Sequence, residues 1–258
     1  MNFQKIIYNG AVSDFDCITS RGESLLSEIY LYQNVHVAEL TPLFLERHLE
    51  IINQNYSAFF GEDKALELLD ISSQIDSLLT ANRCNSSSYM LRIYRWRASY
   101  MLTIVDSLLY RGFSLWHRGV EARVICCENP LPGLSSSLML SVANFANDYL
   151  NSKVALCANL DGVITGVGDM PVFCVSSSGI FTSPLSSGVS DSLERELAIK
   201  AIQKKGYKLV QRHILAGELE SFDEIFYVTT QGFIALKSFK GKQFLDVCAR
   251  MLVSVYGK

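Results

Sequence analysis

The sequence predicts a mixed α/β (α+β) protein built in two parts. Strand-like and helix-like segments alternate through the first half, then again through the second. Between the halves lies Asn129-Pro130-Leu131-Pro132-Gly133, a loop-forming run and the natural domain boundary. The chain has 258 residues, 49% of them hydrophobic, enough to bury one large core or two modest ones.

In the first half, Ser27 to Tyr32 reads as a strand, and so does Val35 to Leu40 after a polar turn at Gln33-Asn34. Thr41-Pro42 reads as a helix start, with threonine as N-cap and proline in the first turn. That helix is expected to run from Leu43 to about Phe60, since Leu45, Leu49 and Ile52 recur at helical spacing and Gly61 stops it. A second helix is expected from Asp63 to about Thr80. Tyr89 to Val105 is rich in β-branched and aromatic residues and predicts one or two long strands. Arg92, Arg95 and Arg97 interleave there with Tyr94 and Trp96. A single-strand nucleic-acid platform has this pattern, and so does an ordinary sheet with one wet face. The acidic balance of the chain favours the sheet.

In the second half, Leu138 to Leu150 predicts a helix and Val154 to Leu160 a strand. Asp161-Gly162 predicts a turn, and Val163-Ile164-Thr165 a further strand. Val172 to Val175 and Ile180 to Thr182 predict a hairpin across the turn at 176–179. Asp191 to Lys205 predicts a helix stopped by Gly206. Lys208 to Ile214 and Glu224 to Thr230 predict strands, the latter apolar and central.

Composition excludes several classes of function. The net charge of −3 and pI near 5.8 do not suit a surface that coats nucleic acid. No apolar run approaches the roughly 18 residues of a membrane span. Met1 to Lys5 has no signal-peptide core, so cytoplasmic residence is expected. Seven cysteines, at irregular spacing and without a CxxC pair, predict reduced thiols rather than a zinc or redox motif. No metal is expected. His36, His117 and His213 stand alone and read as structural or exposed. The glycines from Gly162 to Gly168 do not follow the dinucleotide-binding order.

Three stretches carry a family likeness. Glu46-Arg47-His48-Leu49-Glu50-Ile51-Ile52 resembles an early helix that reads H-L-x-R-L. Leu160-Asp161-Gly162-Val163-Ile164-Thr165, with Phe173 and Gly179 to Pro184, resembles L-D-x-x-G-x-V-x-E followed by N-x-F and G-x-x-x-T-P. Ser192-Leu193-Glu194-Arg195, with Gly206 to Val210 and Phe222 to Phe226, resembles G-I-x-R, G-x-x-V and A-D-E-x-F. Together they resemble the class IV (fold type IV) pyridoxal-phosphate enzymes, the family of branched-chain aminotransferase, D-amino-acid aminotransferase and aminodeoxychorismate lyase. The resemblance implies the two-domain class IV aminotransferase fold. The domains are expected as a small N-terminal α/β domain over 1–115, a linker over 116–133 and a larger α/β domain over 134–258.

The resemblance also implies where the chemistry should sit, and there the chain departs from it. A pyridoxal-phosphate enzyme needs a lysine to hold the aldehyde as an imine and to carry the proton at Cα. Matching Asn144-Phe145 to the family's V-L places that lysine at Ser136, within Ser135-Ser136-Ser137. Serine forms no stable imine, and a helix N-cap accounts for these serines better than a nucleophile does. The nearest lysine downstream is Lys153, beyond the helix. The glutamate that protonates the ring nitrogen falls at Gly166, and the following asparagine at Pro171; Asp169 is the only acid nearby. The phosphate arginine falls at Ile51, with Arg47 one helical turn earlier on the same face. The phosphate-binding helix start falls at Ser192, Leu193 and Glu194, which puts a negative charge where a dianion should sit. Thr229 and Thr230 match the second phosphate contact.

Arg47, Ser192, Leu193, Thr229 and Thr230 are therefore expected as a vestigial phosphate cup, with no cofactor and no catalytic residue. Ile51, Ser136, Gly166 and Ser192 are expected to line a cleft between the domains. The family likeness implies a homodimer. The function expected is that of a non-catalytic relative binding a small ligand or another protein. The competing expectation is a working aminodeoxychorismate lyase or amino-acid aminotransferase that uses pyridoxal phosphate through a displaced lysine.

Overall fold

The structure, a computed structural model, describes residues 5–15, 27–107, 116–142, 154–230 and 232–256. The chain divides into two compact units, Met1–Gly112 and Phe113–Lys258.

The first unit holds strands β1 (Lys5–Tyr8), β2 (Ala11–Asp14), β3 (Leu31–Ala38), β4 (Thr41–Pro42), β5 (Ser88–Arg95) and β6 (Tyr100–Asp106). They form an antiparallel sheet in the order β2-β1-β6-β5-β3-β4. Helices α1 (Leu45–Phe60) and α2 (Leu68–Ala81) belong to the same unit. Leu49 and Ile52 of α1, with Ile75 and Leu78 of α2, share one buried cluster with Val35, Val37, Leu91 and Ile93 of the sheet. Burying each such side chain contributes roughly 1.5–3 kcal/mol, so this contact dominates the unit's stability.

Three local expectations fail here, each for a visible reason. Gln33-Asn34 is not a turn but the middle of β3. Both polar side chains have partners: the Gln33 Oε1 lies 2.9 Å from His48 Nδ1, and Asn34 Oδ1 accepts from Arg92 Nε at 2.7 Å. Thr41-Pro42 does not open α1. It pairs back onto β3 as β4, Leu43 N donates to His36 O, and the helix starts at Leu45 after a left-handed Phe44. The second helix starts at Leu68 rather than Asp63. Asn53 holds the backbone of Leu66 through both its N–H and its C=O, and keeps that segment outside the helix. Gly61 does end α1, in the left-handed conformation that glycine favours.

The interleaved arginines belong to an ordinary sheet. Arg95 is buried, with its guanidinium 4.1 Å from the Tyr56 ring centroid and Nη2 donating to Lys64 O. Arg97 pairs with Glu62, and Arg92 bonds Asn34 beside the Tyr32 ring.

The second unit holds β7 (Trp116–Cys126), β8 (Val154–Ala158), β9 (Ile164–Gly166), β10 (Val172–Ser176), β11 (Gly179–Thr182), β12 (Leu209–Gln211), β13 (Glu224–Thr229), β14 (Gly232–Phe239) and β15 (Lys242–Gln243). The sheet order is β12-β11-β10-β13-β14-β7-β8-β9, with β15 added on β14. The pairs β11–β12, β14–β7 and β7–β8 are parallel and the rest antiparallel. Helices α3 (Leu193–Lys204) and α4 (Val247–Val253) complete the unit.

The expected linker over 116–133 needs correction: residues 116–126 are β7, paired on both sides inside this sheet. The apolar side chains of Val120, Ala122 and Val124 alternate along it and pack into the core cluster. β12 is shorter than the predicted Lys208 to Ile214. The β10–β11 hairpin and the inner place of β13 follow the prediction. The expected helix over 138–150 starts at residue 137, and its part beyond residue 142 lies outside the described residues. So do Cys17, Asn144, Phe145 and Lys153. No described helix is long and apolar enough to cross a membrane.

Candidate functional site

The second unit gathers its chemistry around the start of α3. Ser192 is the N-cap, in extended conformation, and its Oγ accepts from Arg195 N at 3.3 Å. Leu193, the first helical residue, is buried in the core. Arg195 is also buried, and its Nη2 donates to Ser183 O at 3.4 Å and Gln211 Oε1 at 3.0 Å. It thus ties α3 to the end of β12 and to the residue after β11. Glu194 lies between them. Its Oε1 accepts from Thr230 Oγ1 at 2.9 Å, across 36 positions of sequence. Thr230, just past the end of β13, is itself buried.

Glu194 is half-buried as a residue, and its carboxyl is the buried end, so burial pushes its pKa up. Its own backbone N–H and the hydroxyls of Thr230 and Ser192 pull the other way, and the charge of Asp169 adds to the rise. Among the described residues Glu194 has no cationic partner within ion-pair distance. The aromatic ring of Tyr256, packed 4.8 Å from Phe233, lies within electrostatic reach of it.

Of the residues expected in a phosphate cup, Ser192, Leu193 and Thr230 are thus brought together by α3 and β13. Thr229 is occupied differently: its Oγ1 donates to Gly232 O at 3.1 Å, closing the β13–β14 turn. Arg47 belongs to the first unit, where its Nη1 donates to Glu50 at 2.7 Å on the half-exposed side of α1. Ile51 is buried on the same helix. His48 is buried there too, and burial holds its pKa down at about 4.

Gly166 ends β9 and is followed by a tight turn. Val167 and Met170 exchange both backbone hydrogen bonds across Gly168-Asp169. A Cβ on Gly166 would stand 2.7 Å from Met170 O and 3.1 Å from Gly168 O. Both obstacles are backbone, so no side chain fits at 166 unless the turn moves. Pro171 is buried beside it and accepts from Val228 N. Asp169, the acid nearest to the ring-nitrogen position, sits in the turn and repels Glu194.

Ser135, Ser136 and Ser137 are all buried, Ser136 completely. The backbone of Ser136 starts a helix, since Leu140 N donates to Ser136 O. Its hydroxyl does not act as the expected cap: Ser136 Oγ has no partner among the described residues. The same is true of Ser183, Ser187 and Ser190, in the segment leading into α3. That segment is joined to the Ser136 region by Asp191 N donating to Gly133 O. Buried hydroxyls without partners are uncommon and costly in folded proteins, so this serine-rich region stands out chemically.

Sequence reasoning missed one functional-looking carboxylate. Glu224, at the start of β13, is buried and accepts from Cys248 N at 2.7 Å and Ala249 N at 2.6 Å. It caps α4 from 24 positions away. Burial raises its pKa, and those backbone N–H groups offset the rise in part. The only sequence sign was its place in Phe222-Asp223-Glu224-Ile225-Phe226.

Three buried thiols are inert by environment. Burial pushes Cys157 up to about 11, Cys248 up to about 12, and Cys174 higher still. Among the described residues no three His, Cys, Asp or Glu side chains converge as a metal site would require.

Comparison with known proteins meets this geometry. A model of the amino-transferase class IV family matches residues 30–238. No curated protein sequence matches the chain. Among solved structures, a branched-chain aminotransferase from Thermoproteus uzoniensis with norvaline superposes with a TM-score of 0.82 at 17% identity, covering 98% of this chain and 93% of that one. The branched-chain amino acid aminotransferase from Escherichia coli superposes at 0.77 with 13% identity, over 96% and 91%. A putative 4-amino-4-deoxychorismate lyase from Legionella pneumophila superposes at 0.70 with 16% identity, over 86% and 88%. At these identities the likeness to each structure is one of fold.

Proposed function

The chain belongs to the amino-transferase class IV family, and within it we propose a non-catalytic member that has given up pyridoxal phosphate and binds a small ligand or another protein. The observation that carries the reading is the fate of three positions in one unit. Ser136 offers no amine, Gly166 admits no side chain, and Glu194 puts a carboxylate at the helix start. A bound pyridoxal phosphate would need an imine partner, an acid at its ring nitrogen and a cationic or neutral seat for its phosphate. The residues present at the matched positions do not fit it, and no reaction step is assigned. The buried, partnerless hydroxyls around Ser136 support binding of a small polar molecule, because a ligand or ordered water would satisfy them. We further propose a homodimer in the cytosol, in keeping with the family likeness. Sedimentation at micromolar concentration tests the dimer, and a monomer would remove that part.

The test of the central reading is spectroscopic. The purified chain is expected to be colourless and to gain no imine absorption band with added pyridoxal phosphate. Borohydride treatment followed by peptide mass mapping is expected to find no phosphopyridoxyl lysine. An adduct on one specific lysine would establish the working lyase or transaminase instead. The variant Ser136→Lys is expected to show no turnover, because groups that act as a unit do not regain function one at a time. Measurable transamination by that variant would show an otherwise intact site and sink the reading.

A further inference from the structure

The sheet of the second unit has a notch in its interior. β14 stops at Phe239, opposite Ala122, whereas its parallel neighbour β7 runs on to Cys126. Beyond Phe239 the chain reverses through Lys240 and Gly241, both at positive φ, and returns along β14 as β15. From Arg123 to Cys126, β7 is therefore paired with β8 alone among the described residues. Its other flank keeps the backbone N–H and C=O groups that a longer β14 would have used.

A cavity of about 480 Å³ occupies this notch, within the size range of small-molecule sites. It reaches from β7, past the end of β14, to the start of the short 3-10 helix Ala216–Ser221. Ala122 and Phe239 are buried, and with Val124 and Ala216 they belong to an apolar cluster that includes Ile225 and Tyr227 of β13. These side chains make an apolar floor. The mouth is open and charged: Arg123, Gly217 and Lys240 are exposed. Lys240 Nζ stands 5.2 Å from the Phe239 ring centroid, at the edge of the floor. Arg123 has no ion pair or hydrogen bond among the described residues. Glu121 is the one acid in the lining against two cations, so positive charge is in excess.

The cavity is separate from the positions matched to a phosphate seat at α3. Successive side chains of a strand point to opposite faces of its sheet. Phe226, between Ile225 and Tyr227, packs on Phe233, and Phe233 on Tyr256 just past α4. α3 packs beside α4. The helices thus cover one face of the sheet, and the cavity lies on the other.

We propose that this notch binds a small organic anion, with its apolar body against Ala122, Val124 and Phe239 and its carboxylate at the mouth beside Arg123 and Lys240. Burial of the apolar body supplies most of the affinity, and the cations set the sign of charge and the orientation. The open flank of β7 offers backbone hydrogen bonds to polar groups between the two ends. The proposal goes beyond the loss of pyridoxal phosphate and does not rest on it.

The probe is phenylacetate, followed through the amide chemical shifts of the isotope-labelled chain. It is expected to bind in the millimolar range or tighter and to move the resonances of Arg123, Val124, Gly217 and Lys240. Phenylacetamide, which lacks the charge, is expected to bind about fivefold more weakly, and acetate, which lacks the apolar body, more than about tenfold. Arg123→Gln and Lys240→Gln are each expected to weaken phenylacetate about three- to fivefold and to leave phenylacetamide unchanged. Both side chains are exposed, so the fold tolerates these changes. A Cβ at Gly217 meets nothing within 4 Å, so Gly217→Phe is accommodated; its ring is expected to fill the mouth and abolish binding. Absence of shifts at these residues would overturn the proposal, as would unchanged affinity in the Arg123→Gln, Lys240→Gln double variant. Benzylamine binding as tightly as phenylacetate would do the same, since Glu121 would then set the charge preference. An acidic peptide that binds along β7 where phenylacetate does not would replace the small-anion site with a peptide groove. An imine on the natural chain would defeat the non-catalytic reading and leave the phenylacetate shifts in place, so the two failures are distinguishable.

Discussion

Two helices in the second unit have a glutamate carboxyl beside their first turn, and it arrives there in different ways. At α4 the carboxylate comes from a strand: Glu224 of β13 reaches Cys248 N and Ala249 N with both oxygens. At α3 the carboxylate belongs to the helix's own first turn, and the strand supplies only the hydroxyl of Thr230. Glu224 is buried as a whole residue, whereas Glu194 is half-buried with its carboxyl on the buried side. The first is a tertiary fastener, because removing it strands buried donors. The second is a local occupant, because its only partner outside the helix among the described residues is the Thr230 hydroxyl. The same chemistry thus makes a structural joint at one terminus and a local occupant at the other.

The sharpest test of that contrast is a pair of truncations. Glu224→Ala is expected to cost about 4 kcal/mol in denaturant unfolding, from two charge-assisted hydrogen bonds and the buried N–H groups left behind. Glu194→Ala is expected to cost about 1 kcal/mol, the loss of one side-chain hydrogen bond from outside the helix. Equal costs would erase the distinction between joint and occupant.

The next largest effect separates the two units by pH. His48 in the first unit is held down at about 4 from 6.5 by burial, so the unfolded chain takes up a proton there first. Its contribution is present above about pH 6.5 and is lost as pH falls toward 4, at most about 3 kcal/mol. Glu194 and Glu224 have raised values, so the folded chain holds those protons longer. Their contribution is present below the ordinary glutamate value of 4.5 and is lost as pH rises through the folded values. Amide exchange, corrected for its intrinsic pH dependence, is expected to show the first unit loosening in acid and the second loosening as pH rises. Parallel slopes in both units would contradict these environments.

Gly166→Ala comes third. The added Cβ meets Met170 O at 2.7 Å, and the resulting backbone shift is expected to cost about 2 kcal/mol. A cost near zero would mean that the turn yields easily and that an acid at 166 is sterically permitted. The smallest effect is Ser136→Ala. Removing a fully buried hydroxyl with no described partner is expected to be neutral or to stabilise by roughly 1 kcal/mol in the unliganded chain. A clear loss would indicate a water or ligand held there, and would strengthen the binding role of the serine region.

Much of the fold was legible from local pattern. The period of Leu45, Leu49 and Ile52, the glycine after Phe60, the hairpin around residues 176–179 and the end of α3 before Gly206 are one-dimensional features with short-range causes. The errors fell where a distant partner overrode a local preference. Gln33-Asn34 has turn chemistry, yet His48 and Arg92 satisfy both side chains inside β3. Thr41-Pro42 has helix-start chemistry, yet pairing with Val37 and Ala38 makes it a strand. The expected linker over 116–133 overlaps β7, whose strand character depends on pairing with β14 and β8 elsewhere in the chain.

By itself the sequence determined the mixed α/β class, the likeness to class IV amino-transferases, and the absence of an amine at residues 135–137 and of an acid at 166. These are statements about residue identity and period, which need no coordinates. Only the tertiary structure decided what replaced the missing groups. The turn that closes over Gly166 was unreadable because its obstacles are backbone carbonyls. The Thr230–Glu194 contact spans 36 positions, and the Glu224 cap on α4 spans 24. Whether two residues so far apart meet is set by strand order and register. A carboxylate's neighbours, not its place in the chain, determine whether it is a joint or an occupant.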